Sequence, residues 1–221
     1  MNTRAGVWKY NLMRPMKELM ILNRSKTFRM LSALAFCSGI ASSGDQTLFL
    51  YYVKGYFDFT DKDIATFFLI AGGMGMIVQT VVLKPFNSLV GERRVVLVSF
   101  LVGSFCNYLY GVSGSKRTIF ISVTLASLSH MAFPTISAIK SMNAEEMEQG
   151  RIQGALYSLS SLASALGPVT LRYVYNHTKD GSDGPGTVFI YCAAIYLVAS
   201  LFAWALPEEE ANSNYHKMHS K

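Results

Sequence analysis

The sequence predicts an all-α, polytopic membrane protein, and three observations carry that prediction. Of 221 residues, 51% are hydrophobic and only 15% are charged, where an average soluble domain carries about a quarter charged residues. The charges cluster between long apolar runs instead of lying along helix faces, which is how a chain that crosses a bilayer repeatedly distributes them. No stretch shows the period-2 alternation of barrel strands, so helices are left as the way to satisfy the backbone in lipid.

Six stretches are long and apolar enough to cross hydrocarbon as helices, for which about 20 residues are needed. They lie near 29–52, 65–86, 94–112, 118–139, 152–173 and 187–206. Residues 1–28 read as a basic linker, 29–206 as the six-helix bundle and 207–221 as a disordered polar tail. Within the linker, residues 11–28 mix basic and apolar side chains, which suits either an amphipathic helix lying in the interface or a disordered basic segment. The start of the chain lacks the continuous apolar region of a cleavable signal peptide, so targeting is expected from the first span.

Orientation follows from lysines and arginines near the span ends. Arg4, Lys9, Arg14, Lys17, Arg24, Lys26 and Arg29 precede the first span; Lys84, Arg93 and Arg94 lie in the second loop, and Lys140 and Arg151 flank the fourth. This excess over the odd-numbered loops predicts both termini in the cytoplasm. The sequon Asn176-His177-Thr178 then falls on the opposite side, where glycosylation is possible, and Asn23-Arg24-Ser25 falls on the cytoplasmic side. The net charge of +6 thus reports topology, and no basic, aromatic-interleaved patch points to nucleic acid. Cys37, Cys106 and Cys192 sit inside apolar runs without CxxC spacing and read as small buried hydrophobes.

Helices in lipid gain little from burying apolar surface against each other, so close packing relies on small residues. On the fifth span Gly154, Ser158, Ser161, Ala165 and Pro168 recur at spacings of three and four, and the second span carries Gly72, Gly73 and Gly75. These define two smooth helix faces suited to static packing or to sliding.

Candidate chemistry centres on two residues. Asp45 is the one acid well inside a span, where ionisation is costly enough that acids usually face protein or water. Ser38, Ser42 and Tyr52 share its helical face, and Gln46 is adjacent. The stripe reads either as the wall of an aqueous cavity or as a helix-end acid satisfied locally. His130 lies near the middle of the fourth span, with Ser127 and Ser137 on its face and Pro134 one turn on. Its imidazole suits proton relay beside a carboxylate, or plain hydrogen bonding in the bundle core. Asn107 reads as an interhelical hydrogen bonder, and Lys140 as a side chain that snorkels to the interface. No HExxH, GxSxG, P-loop or paired-carboxylate constellation is present, so neither an enzyme nor a cofactor or metal site is expected.

The stretch EEMEQGRIQGALYSLSSLASALGP, Glu145 to Pro168, resembles the segment joining the tenth and eleventh helices of major facilitator superfamily transporters, above all the tetracycline-efflux and hippocampus-abundant-transcript branches. There an acidic loop leads into a Q-G-x-x-Q-G pattern, here Gln149, Gly150, Gln153 and Gly154, and a small-residue helix ends in Gly-Pro, here Gly167-Pro168. The stretch KPFNSLVGERRVVLV is similar to the family's basic loop between paired helices. Gly91, Arg93 and Arg94 match its end, while the leading glycine and acid are absent. GDQTLFLYYVKGYF, after the middle of the first span, resembles the seventh helix of the eukaryotic branch.

This resemblance, over about residues 12–206, implies one six-helix half of a twelve-helix major facilitator fold, with residues 1–28 as the central linker. It implies a secondary active, antiporter-like transporter, or half of one, for a small organic solute, with proton coupling as an open feature. The partners it implies are the lipid bilayer and a separate N-terminal half or a second copy of the chain. The competing expectation is a transport-inactive scaffold or regulatory partner of a full-length relative.

Overall fold

The computed structural model describes residues 19–178 and 184–207, and among these no strand occurs. Six long helices alternate in direction: α1 (Lys26–Phe57), α2 (Asp61–Val90), α3 (Glu92–Gly111), α4 (Lys116–Asn143), α5 (Gln149–Thr178) and α6 (Thr187–Trp204). Four of them, α2, α3, α4 and α6, are long and apolar enough to cross a membrane. The other two are longer than needed but diluted by Gly, Ser, Thr and Gln. Large apolar side chains such as Leu69, Met76, Leu89, Leu101 and Ile121 are exposed on the outside of the bundle, a surface stable in lipid or against protein and not in water.

The helix ends follow from local chemistry. Ser25 is extended, and its hydroxyl accepts from the Phe28 amide, which starts α1; Asp58 in the left-handed region stops it. The described part of the expected interfacial helix over 11–28 is therefore broken: a 3-10 turn over Met20–Asn23 gives way to a new helix at Lys26. Residues 1–18, which include the first part of that segment, and the tail after Pro207 lie outside the described residues. Thr60 and Asp63 form a reciprocal capping box that opens α2. Gly91 both ends α2 and begins α3 at φ 82°, a backbone that side chains with a Cβ rarely adopt.

Two helices are interrupted just before a proline. Pro134 cannot donate to the His130 carbonyl, and the turn Ser127–Met131 is 3-10 instead of α. Pro85 likewise cannot reach Val81, and Val78–Val82 is a π turn. These two irregular turns touch each other where α2 meets α4.

The principal packing partners are α3 with α6, α1 with α5, α3 with α4 and α1 with α6, and α2 meets α4 less extensively. Two three-helix units, α1–α3 and α4–α6, related by a two-fold would produce these pairs, as in the nested repeats of many transporters. Small residues set the close crossings. A Cβ on Gly39 would lie 2.8 Å from the Ala163 Cβ, and one on Gly186 would lie 2.1 Å from the Gly111 carbonyl oxygen. One apolar cluster, including Phe28, Leu31, Val96, Phe100, Ile152 and Leu156, fills the end that carries Arg24. A second, aromatic-rich cluster with Phe49, Tyr52, Tyr110 and Phe189 fills the other.

Candidate functional site: a polar cavity between α1, α4 and α5

A cavity of about 430 Å³ opens beside the first apolar cluster. The helices diluted by polar residues wall it: Ser38 and Ser42 come from α1, and Gln153, Tyr157 and Ser160 from α5. From α4 come Ser129 and His130 in the 3-10 turn, then Ser137 and Lys140 about two and three turns beyond. Gln79 of the α2 π turn, Ser99 of α3 and Tyr196 of α6 complete the polar lining, with Phe100, Phe133 and Leu156 as apolar floor. The prolines thus matter to the site, because the turns they disturb carry Gln79 and His130.

The most connected corner runs from α4 to α5. Lys140, buried to 9% exposure, donates from Nζ to Gln153 Oε1 at 3.2 Å. Gln153 Nε2 in turn donates to the Tyr157 hydroxyl at 3.4 Å. Lys140 was expected to snorkel to the interface; its ammonium is instead held against α5, where Gln153 presents an acceptor to it.

The predicted site residues divide between this cavity and the surface. Ser42, His130 and Gln153 line the cavity together. Gly75 packs against His130, since a Cβ there would lie 3.4 Å from the imidazole Cδ2. Asp45 and Gln46 belong to α1, but their side chains lie outside the described residues. Gly72, Gly73, Gly150 and Gly154 have nothing within 4 Å of an added Cβ. The smooth face expected on α5 is therefore uncovered, with Gly154, Ser158, Ser161 and Ala165 exposed. The face that meets α1 is a different one: Ser160, Ala163 and Gly167 lie at the crossing, and Pro168 continues the helix beside them.

At the Arg24 end, Gly91, Arg93 and Arg94 line a separate, smaller cavity of about 260 Å³ with Thr27 and Met142. Arg93 donates to the Trp204 carbonyl, tying the start of α3 to the end of α6. Arg24 pairs with Glu148 and, at 3.7 Å, with Glu145, which ties the chain before α1 to the α4–α5 loop. Asn107 does not bond between helices as expected; its Nδ2 donates to the Gly103 carbonyl one turn back at 3.0 Å.

Sequence reasoning missed Gln79, Tyr157, Ser160 and Tyr196 as cavity residues and misplaced Lys140. A signal was present, since His130, Ser137 and Lys140 are spaced by seven and three residues, and Gln153, Tyr157 and Ser160 by four and three. Each set is one helix face.

Residues 31–220 match the Major Facilitator Superfamily. The chain belongs to that superfamily. Among curated proteins, this major facilitator chain is 25% identical over 220 residues to hippocampus abundant transcript-like protein 1 of Mus musculus, covering 92% of the chain and 43% of the relative. It is 26% identical over 125 residues to the class D tetracycline resistance protein of Salmonella ordonez, covering 57% of the chain and 31% of that protein. Among solved structures, the human organic anion transporter MFSD10 (TETRAN) superposes with a TM-score of 0.69 at 20% identity, over 79% of the chain and 40% of that protein. The fold is therefore that of major facilitator proteins, and the chain spans less than half the length of these relatives.

Proposed function

We propose that the chain is a six-helix half of a secondary active transporter that moves a small organic solute, with α1 and α5 crossing the bilayer beside the four more apolar helices. The observation that carries this reading is the polar cavity walled by α1, α4 and α5. A soluble-like polar lining inside a bundle with an apolar exterior has one economical use, which is to give a water-soluble molecule a place within the membrane.

One bundle supplies one wall of such a site. Major facilitator transporters hold substrate between two bundles that rock against each other, and the uncovered Gly72 and Gly73 of α2 and small-residue face of α5 are suited to a moving interface with a second bundle. That second bundle is an N-terminal half or another copy of the chain. Asp45 and His130 are assigned to proton coupling, with Ser42 and Gln46 beside them. The ends carrying Arg24, Arg93 and Lys140 are assigned to the cytoplasm by their basic excess.

The test is co-reconstitution of the chain with a candidate N-terminal half in liposomes that enclose pyranine, exposed to a mixture of small organic solutes read by mass spectrometry. Solute accumulation coupled to proton movement, seen only when both halves are present, is expected. Asp45→Asn is expected to cut the proton-dependent part at least tenfold, a typical loss for a positioned proton-transfer group being 10²–10⁴, without lowering folded yield. Undiminished flux in Asp45→Asn removes that residue from the mechanism. No flux for any solute with the partner half supplied favours the scaffold reading instead.

A further inference from the structure

Lys140 lines the cavity at 9% exposure, and among the described residues it has no counter-charge. The ion pairs among the described residues join Arg24 to Glu145 and Glu148, Lys54 to Asp61 and Lys116 to Asp63. None reaches Lys140, and no Asp or Glu is among the described residues that line the cavity. A buried ammonium without an opposite charge is unfavourable unless something else meets its hydrogens.

The hydrogen-bond directions sharpen this. An ammonium has three hydrogens to donate and no lone pair, and Gln153 Oε1 takes one of them. Gln153 Nε2 donates to the Tyr157 oxygen, which leaves the phenol hydrogen to donate elsewhere. The Gln153 carbonyl is thus occupied within the chain. Two residues of the cavity lining thus keep donors in hand, Lys140 a positive charge with two ammonium hydrogens and Tyr157 its phenol hydrogen. A cation placed there meets repulsion, a neutral group leaves the charge uncompensated, and a carboxylate accepts from all three donors with a charge-assisted bond.

We propose that this cavity recognises the carboxylate or a similar oxyanion of its solute through Lys140, with Tyr157 as second donor and Gln153 as the residue that positions the ammonium. This rests on the transport reading for its physiological meaning, but its test is binding and does not require flux.

The probes are phenylacetate, phenylacetamide and phenethylammonium, which share a ring and differ in the charge of the head group. Saturable binding of tritiated phenylacetate to the full chain in neutral-lipid nanodiscs is expected, displaced by cold phenylacetate and not by the other two. Lys140→Gln is expected to weaken it roughly tenfold to a hundredfold, the range for a lost hydrogen bond to a charged group, while Lys140→Arg retains most of it. Gln153→Glu places a carboxylate in the chain itself against Lys140 and is expected to abolish phenylacetate binding with the bundle intact by size exclusion.

A measurement on the unmodified protein guards against misfolded variants. Phenylacetate, and not phenethylammonium, is expected to slow acetylation of Lys140 by acetic anhydride, read by mass spectrometry of the modified peptide. Equal displacement by the amide or the ammonium, absence of saturable phenylacetate binding, or Lys140 acetylation indifferent to phenylacetate each overturns the proposal. Transport of a cationic or neutral solute by the assembled halves would overturn it too while leaving the transport reading intact; no transport of any solute would count against that reading and leave anion binding standing.

Discussion

Gly167 gives the sharpest test of the α1–α5 crossing on which the cavity wall depends. A Cβ at this position would lie 2.1 Å from Ser43 Oγ and 2.5 Å from the Ile40 carbonyl oxygen. The hydroxyl can rotate aside, but the carbonyl is backbone. Bringing that contact to 3.0 Å parts the helices by at least about 0.5 Å, in an interior packed as densely as an organic crystal. Overpacking of this kind costs about 1–3 kcal/mol, and an alanine in a helix recovers at most about 1 kcal/mol over glycine. The net expectation for Gly167→Ala is a loss of roughly 1–2 kcal/mol, or about 2–8 °C in melting temperature for a chain of this size. Gly154→Ala, on the same helix with nothing within 4 Å, keeps only the helical gain and is expected to be neutral or stabilising. The two variants therefore differ in sign. Heating the detergent-solubilised proteins and following the monodisperse peak by size exclusion reads both midpoints. A Gly167→Ala midpoint equal to or above that of the unmodified chain would refute the crossing as described.

Two further predictions follow from single contacts. The Tyr52 hydroxyl, on a side chain only 2% exposed, donates to the Tyr110 carbonyl at 3.0 Å, while its ring stacks on Tyr56 and tilts against Phe189. Tyr52→Phe keeps the ring contacts and removes the bond, so a loss of about 0.5–1.5 kcal/mol is expected in the same melting assay; no change would mean that the bond contributes nothing at the α1–α3 contact. Asn176 is exposed in the last turn of α5, and in microsomes a glycan there, removed by Asn176→Gln, is expected if the Arg24 end faces the cytoplasm. A glycan on Asn23 instead would invert that orientation.

The membrane class, the helical content and the order of the long helices were all legible in the amino-acid order. They depend on composition and on the length of apolar runs, which are local quantities. The superfamily was legible as well, in the Gln149 to Gly154 pattern and the Gly-Pro at 167–168. Boundaries were less so. The first run was read as 29–52, yet α1 extends over Lys26–Phe57, because a Ser25 cap and a left-handed Asp58 end it and hydropathy does not register either.

The tertiary structure decided which faces meet. Gly154, Ser158 and Ser161 repeat as smoothly as Ser160, Ala163 and Gly167, and spacing alone does not say which set α1 covers; that depends on how α5 is rotated by all its other contacts. The same rotation of α5 set Gln153 against Lys140 of α4. A lysine near a span end has two outlets, the headgroups or the bundle interior, and only the placement of Gln153 on a neighbouring helix favours the second. Sequence thus specified the helices and the chemistry each carries, because these follow from nearest neighbours along the chain. The site itself arose from residues far apart along the chain, such as Lys140 with Gln153, Ser42 with His130 and Ser38 with Tyr196, brought to one cavity by packing between helices.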